Sequence, residues 1–110
     1  MANRGEIYYF ENERAIGSEQ RNSRPCVIIS NDKNNTFSPC VTVIPITNRP
    51  KKELPVHCKI STIYNKVKGT ALCEQIQCVS KYRLIPCNDK VTYSTLKNIE
   101  KCIKIQCDIL

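Results

Sequence analysis

The stretch Gly17-Ser18-Glu19-Gln20, then Arg24-Pro25-Cys26-Val27-Ile28-Ile29-Ser30-Asn31-Asp32, carried on through Phe37-Ser38-Pro39 to Val43-Ile44-Pro45-Ile46-Thr47, decides the fold. Two β-branched runs inside it, Val27–Ile29 and Val41–Ile44, read as strands, because branched side chains suit a pleated, packed surface. Polar loops around them carry a carboxylate, an amide and a guanidinium at Glu19, Gln20 and Arg24. Pro25 suits the first position of a strand and not its middle. Arg24 is therefore fixed where a strand begins, and the functional reading turns on what it does there.

On the N-terminal side, Glu6–Glu11 reads as a first strand, with Tyr9 between Tyr8 and Phe10. The segment from Asn12 to Ser23 is almost entirely polar and predicts a long exposed loop, a common place for function in a small domain. Arg24–Ser30 is the second strand and Asn31–Pro39 a polar turn region. Cys40–Ile46 is the third strand, whose internal Pro45 implies an edge position or a bulge. Farther on, Pro55–Ile60 reads as a short strand, Thr70–Val79 as a long central one, and Ser80–Asn88 as irregular around Pro86. The C-terminus carries the only clear helical pattern. Thr92 or Ser94 can cap it, Leu96, Ile99, Ile103 and Cys107 form an apolar stripe, and Glu100 and Lys104 stand at the favourable i, i+4 spacing. Strands followed by one packed helix predict a mainly β fold, a small β-barrel with a C-terminal α-helix laid on it.

At 110 residues the chain has room for one domain, residues 1–110, with one core. The net charge is +7. Residues 1–60 hold nine Lys or Arg against six acids and residues 61–110 hold eight against four, so a polyanion site must be assembled by folding rather than lie on a tail. Such a balance suits nucleic acid or an acidic protein partner.

Eight cysteines raise the possibility of a disulfide scaffold. They contain no C-x-x-C pair and accompany a single His, which argues against a zinc site. Cys26, Cys73 and Cys102 sit beside apolar residues where a small filler is wanted. The N-terminus has no apolar leader and no run reaches the length of a membrane span. The reading is a cytoplasmic protein with free thiols and no membrane contact.

The chain has no P-loop, no dinucleotide glycine fingerprint and no G-x-S-x-G elbow. One His rules out a two-histidine acid–base pair, and His57 reads as a surface or packing residue. RNA, however, brings its own nucleophile, the 2′-hydroxyl. An enzyme that cleaves it needs no metal if it removes that proton, stabilises the phosphorane and assists the leaving 5′-oxygen. The planar fork of Arg24 suits the second task, and the Thr47 hydroxyl adds a neutral donor. Amides at Gln20, Asn31 and Gln75 can read unpaired bases. An arginine at a strand start is also a common salt-bridge partner, and residue types alone leave both roles open.

Spaced motifs narrow the choice. Arg4-Gly5-Glu6-Ile7-Tyr8, Gly17-Ser18-Glu19-Gln20, Arg24-Pro25, Asn31-Asp32, Phe37-Ser38-Pro39, Val43-Ile44-Pro45-Ile46-Thr47, Leu54-Pro55-Val56-His57, Leu72-x-Glu74-Gln75-Ile76 and Arg83-Leu84 occur in an order that closely resembles the MazF/PemK toxin endoribonucleases. The resemblance runs nearly the whole length. It implies an SH3-like barrel, a homodimer, and metal-independent cleavage of single-stranded mRNA to 2′,3′-cyclic phosphate and 5′-hydroxyl ends, with no cofactor. It carries the catalytic roles to Arg24 and Thr47, and RNA contacts to Gly17, Ser18, Glu19, Gln20, Asn31 and Gln75. It also implies a MazE-like antitoxin whose acidic, disordered C-terminal segment wraps the basic toxin. A gyrase poison on a related barrel and a non-catalytic nucleic-acid-binding barrel are the alternatives, and neither needs Arg24 paired with Thr47. Two departures stand out. Gln77-Cys78 replaces the usual Arg-Thr, and Asn34-Asn35 replaces a glycine-containing turn.

Overall fold

The computed structural model describes residues 2–11, 23–48 and 52–110. Among them the chain forms β1 (Glu6–Glu11), β2 (Ser23–Ile28), α1 (Asp32–Phe37), β3 (Cys40–Thr47), β4 (His57–Lys59), β5 (Thr70–Leu72), β6 (Gln77–Ser80), β7 (Leu84–Lys90) and α2 (Tyr93–Gln106). The strands lie antiparallel in the order β4-β5-β3-β2-β1-β7, with β6 also paired to β3. The far ends of this sheet are drawn together. Thr62, between β4 and β5, bridges Val91 just after β7, and the Ile63 N–H donates to the Lys90 carbonyl at 2.9 Å. The sheet thereby curls into the expected barrel-like, mainly β fold.

Strand alternation separates two apolar clusters. Val27, Ile44 and Ile46 point with Ile7, Cys58, Ala71 and Cys73 toward the side covered by α2, whose Ile99 is fully buried there. Cys26, Ile28, Val41 and Val43 point the other way, onto Phe10 and Val79. A strand buried on both faces reads as a continuous apolar run, and this is why β2 and β3 were legible. The Thr92 side chain caps α2 by accepting from the Thr95 N–H, as expected.

Six expectations are corrected. The polar turn Asn31–Pro39 contains a helix, α1, because Asn31 caps it by accepting from the Asn34 N–H at 2.8 Å. Its Asn35 is buried and donates to the Ser30 carbonyl at 2.9 Å. The supposed long strand Thr70–Val79 is two strands, β5 and β6, split by a 3₁₀ turn at Cys73–Gln75 that lets both pair with β3. Pro45 lies in the central strand, buried, and not at an edge. On that side of β3, β6 pairs as far as Val43 and β5 begins at Ile46, so the proline falls in the gap between two partners. Ser80–Asn88 is ordered as a 3₁₀ turn and β7. Among the described residues this strand pairs only with β1, and it tolerates Pro86 beside a register shift, where Asn88 takes φ 61°. Finally, Glu100 turns to Arg4 at 2.7 Å and Lys97 at 3.3 Å instead of Lys104, and Cys107 is exposed instead of joining the stripe.

All eight cysteines are free thiols. No helix among the described residues is long and apolar enough to cross a membrane.

Candidate functional site

Register places the chemistry. Val27 faces Ile44 and Cys26 faces Pro45 across β2 and β3. The β2–β3 pairs end at Cys26 and Pro45, and a continuation of that register by two residues would bring Arg24 opposite Thr47. On the other side of β3, Thr47 pairs with Thr70, which in turn faces Lys59 on β4. Residues opposite one another in antiparallel strands share a face. Thr47, Thr70 and Lys59 therefore form one row across three strands, on the side of the sheet away from α2, and the continued β2 register would add Arg24 at its end. Arg24 and Lys59 are exposed, Thr47 is half-buried and Thr70 is buried. With strands about 4.8 Å apart, Lys59 stands roughly 10 Å from Thr47.

Beside this row a cavity of about 670 Å³ opens, beginning at Asn48 directly after Thr47. Thr70 and Gly69 border it, as do His57, Lys59 and Lys68. Gly69 has φ +145°, and a Cβ there would stand 2.5 Å from the Thr47 carbonyl oxygen, so the chain passes flush against the threonine backbone. Its own carbonyl accepts from the Ile60 N–H at 3.0 Å. The loop above is held by Asp89, whose carboxylate accepts from the Tyr64 and Lys66 N–H groups, each at 2.9 Å. Burial works to raise the Asp89 carboxyl, but these bonds, with the Thr62 hydroxyl and the Lys90 N–H, hold it below the usual range.

His57, read from the sequence as a surface or packing residue, is packed in the structure and bonded through both ring nitrogens. Its Nδ1 accepts from the Leu54 N–H at 3.3 Å, so Nε2 carries the proton and donates to Glu74 Oε2 at 2.7 Å. The pair ties the cavity wall to the turn that carries Gln75. Sequence reading missed His57, Lys59, Gly69 and Thr70 as members of the site. Their spacing carries no motif, and only the pairing of β4 and β5 with β3 brings them beside Thr47.

Of the residues expected to act, Arg24 lies near the start of β2 and Thr47 ends β3, two residues beyond the last β2–β3 pair, Cys26 with Pro45. Gln75 is exposed on the turn between β5 and β6, beside Glu74. Asn31 lies beyond the opposite end of β2 from Arg24, and its side chain is engaged as the α1 cap. Gly17, Ser18, Glu19 and Gln20 fall outside the described residues.

Fold and row together define a class: a small β-barrel protein with one packed helix and a cationic, hydroxyl-bearing face suited to phosphate. The chain belongs to the PemK-like, MazF-like toxins of type II toxin–antitoxin systems, whose family model matches residues 3–107. It is 38% identical over 104 residues to an endoribonuclease MazF of Staphylococcus saprophyticus, an alignment spanning 92% of this chain and 84% of that protein. It is 31% identical over 116 residues to endoribonuclease MazF9 of Mycobacterium tuberculosis, covering 99% and 98% of the two chains. Among solved structures, a mycobacterial endoribonuclease in complex with its cognate antitoxin superposes with a TM-score of 0.83 at 18% identity, covering 100% of this chain and 98% of that one. MazF of Deinococcus radiodurans gives 0.79 at 17% identity, with 96% of each chain covered. The protein is a toxin of this kind, with endoribonuclease activity.

Proposed function

We propose that this chain acts as one toxin domain that cuts single-stranded mRNA within a short recognition sequence, without a metal, in the cytoplasm. The observation that supports this reading is the β2–β3 register, which ends at Cys26↔Pro45 and, continued by two residues, would bring Arg24 opposite Thr47. In the reaction the 2′-oxygen attacks the neighbouring phosphorus as its proton is removed. The P–O5′ bond breaks and the 5′-oxygen takes up a proton, leaving a 2′,3′-cyclic phosphate and a 5′-hydroxyl. Arg24 meets the developing charge on the phosphorane with two parallel N–H donors, and the Thr47 hydroxyl holds a non-bridging oxygen of the same phosphate. Among the described residues Arg24 has no ion pair to compete for its fork. Gly17 to Gln20 and Gln75 would contact the flanking nucleotides, whereas Asn31 is engaged as the α1 cap at the other end of β2. The working form would be a homodimer, restrained by an antitoxin with an acidic disordered tail that suits the +7 charge.

The test is incubation of the purified chain with a long single-stranded RNA in excess chelator, followed by mapping of the fragment ends. Cuts within one motif that end in cyclic phosphate and vanish in Arg24→Ala are expected. Intact RNA from folded, antitoxin-free protein would overturn the proposal in favour of a gyrase poison or a binding barrel.

A further inference from the structure

We infer that the cavity beside Thr47 is a nucleotide subsite for the RNA strand flanking the scissile phosphate, with Lys59 and Lys68 holding the phosphate of that nucleotide. The inference rests on the endoribonuclease reading and extends it to residues that no motif marks. Three observations carry it. First, Lys59 faces Thr70 and Thr70 faces Thr47, so a strand laid along this row from Thr47 meets Lys59. Second, the cavity of about 670 Å³ shares Thr70 and Gly69 with the Thr47 wall, and an open space of that size receives a nucleotide. Third, both ammonium groups are exposed and neither makes an ion pair or a hydrogen bond among the described residues, although the Glu53 carboxylate stands on the same rim.

The apolar wall made by Leu54, Ile60 and Val67 gives a base a surface to lie on, while the lysines face the backbone. An unpaired base can occupy such a wall only in single-stranded RNA, where bases are free of the helical stack. An acidic peptide would use the lysines and leave the apolar wall empty. RNA is therefore the occupant that uses both.

The experiment compares the full-length wild type with Lys59→Gln/Lys68→Gln. Cleavage is followed on a single-stranded RNA carrying the mapped cut site, and binding on the same RNA made uncleavable by a 2′-deoxy sugar at the scissile position. The double variant should show at least a tenfold higher KM with kcat changed less than twofold. Its log Kd should also depend less steeply on log salt, by about 0.7, the value for one phosphate contact on a single strand. Equal KM and equal salt slope in both proteins, with the wild type cleaving, would overturn this inference alone. A loss confined to binding of a polyglutamate peptide would do the same and assign the lysines to a protein partner. No cleavage by the wild type would overturn the endoribonuclease reading, and the inference with it. Both lysines are exposed, and matching thermal melting curves will show that the variant is folded.

Discussion

Gly69 is pressed against Thr47: a Cβ on residue 69 would lie 2.5 Å from the Thr47 carbonyl oxygen and 3.0 Å from its carbonyl carbon. The glycine at φ +145° and the threonine that ends β3 are thus fitted backbone to backbone, and the β4–β5 loop fixes where the Thr47 hydroxyl can be.

Gly69→Ala should therefore act on catalysis through position. The added methyl must displace Thr47 or the loop, and a misplacement of about 1 Å can cost on the order of 100-fold in rate. The backbone strain should also cost more than about 1 kcal/mol of stability. Single-turnover cleavage and urea melts measure the two effects, and a full-rate Gly69→Ala enzyme would refute the positioning role.

Arg24→Lys separates charge from geometry. It keeps a cation at the strand end but loses the planar fork that meets two phosphate oxygens. We expect a fall in kcat of about 100- to 1000-fold, as for loss of one preorganised donor, with a smaller change in KM. Near-normal kcat in Arg24→Lys would mean that Arg24 supplies only long-range attraction.

Asn35 tests the unforeseen helix. It is 1% exposed, takes a hydrogen bond from the Ser30 hydroxyl and donates to the Ser30 carbonyl, while Ser30 Oγ accepts from the Thr42 N–H at 3.0 Å. Asn35→Ala orphans these groups and should lower stability by about 1–3 kcal/mol. Equilibrium denaturation is the measurement, and an unchanged midpoint would show that the network carries little.

Asp89 predicts acid sensitivity. A carboxyl held below its unfolded value of about 3.9 stabilises the fold above that pH, and the contribution disappears as pH falls through the lower folded value. Against Asp89→Asn, the wild type should hold a constant stability advantage between about pH 5 and pH 7 that shrinks below about pH 4. A gap that widens on acidification would contradict the assigned shift.

The thiols should divide by burial. Desolvation pushes Cys26 up to about 12 and Cys58 up to about 11, and raises the fully buried Cys73 as well. Cys78 and Cys107 are exposed. Iodoacetamide at pH 8 should label Cys107 and Cys78 first and leave Cys26, Cys58 and Cys73 untouched until the chain unfolds. Mass mapping of a time course will decide, and early labelling of Cys26 would contradict its packing in the core.

How much was legible depended on whether the signal was local. β1, β2, β3 and α2 announced themselves through β-branched and aromatic runs and an apolar helical stripe, although Pro25 stands third in β2 and not at its entry. The α1 helix was not legible, because Asn-Asp at residues 31–32 serves equally as a turn and as a cap, and the tertiary bonds of Asn35 settle it. The break between β5 and β6 was hidden for a related reason. Leu72 to Ile76 has strand-like composition, and only the need for both halves to pair with β3 bends it into a turn.

By itself the sequence determined which functional groups exist and in what order: an arginine at a strand start, a threonine at a strand end, their surrounding motifs and a positive charge spread along the chain. Those are properties of residue type and spacing, and they suffice to place the chain in its family. Tertiary structure alone decided which groups face one another. Arg24, Thr47, Lys59 and Thr70 come from four strands, and their alignment follows from the pairing register, where a slip of one residue would turn each side chain to the opposite face. No local pattern encodes that register. It is selected by burying Val27, Ile44, Ile46 and Ala71 together in one core.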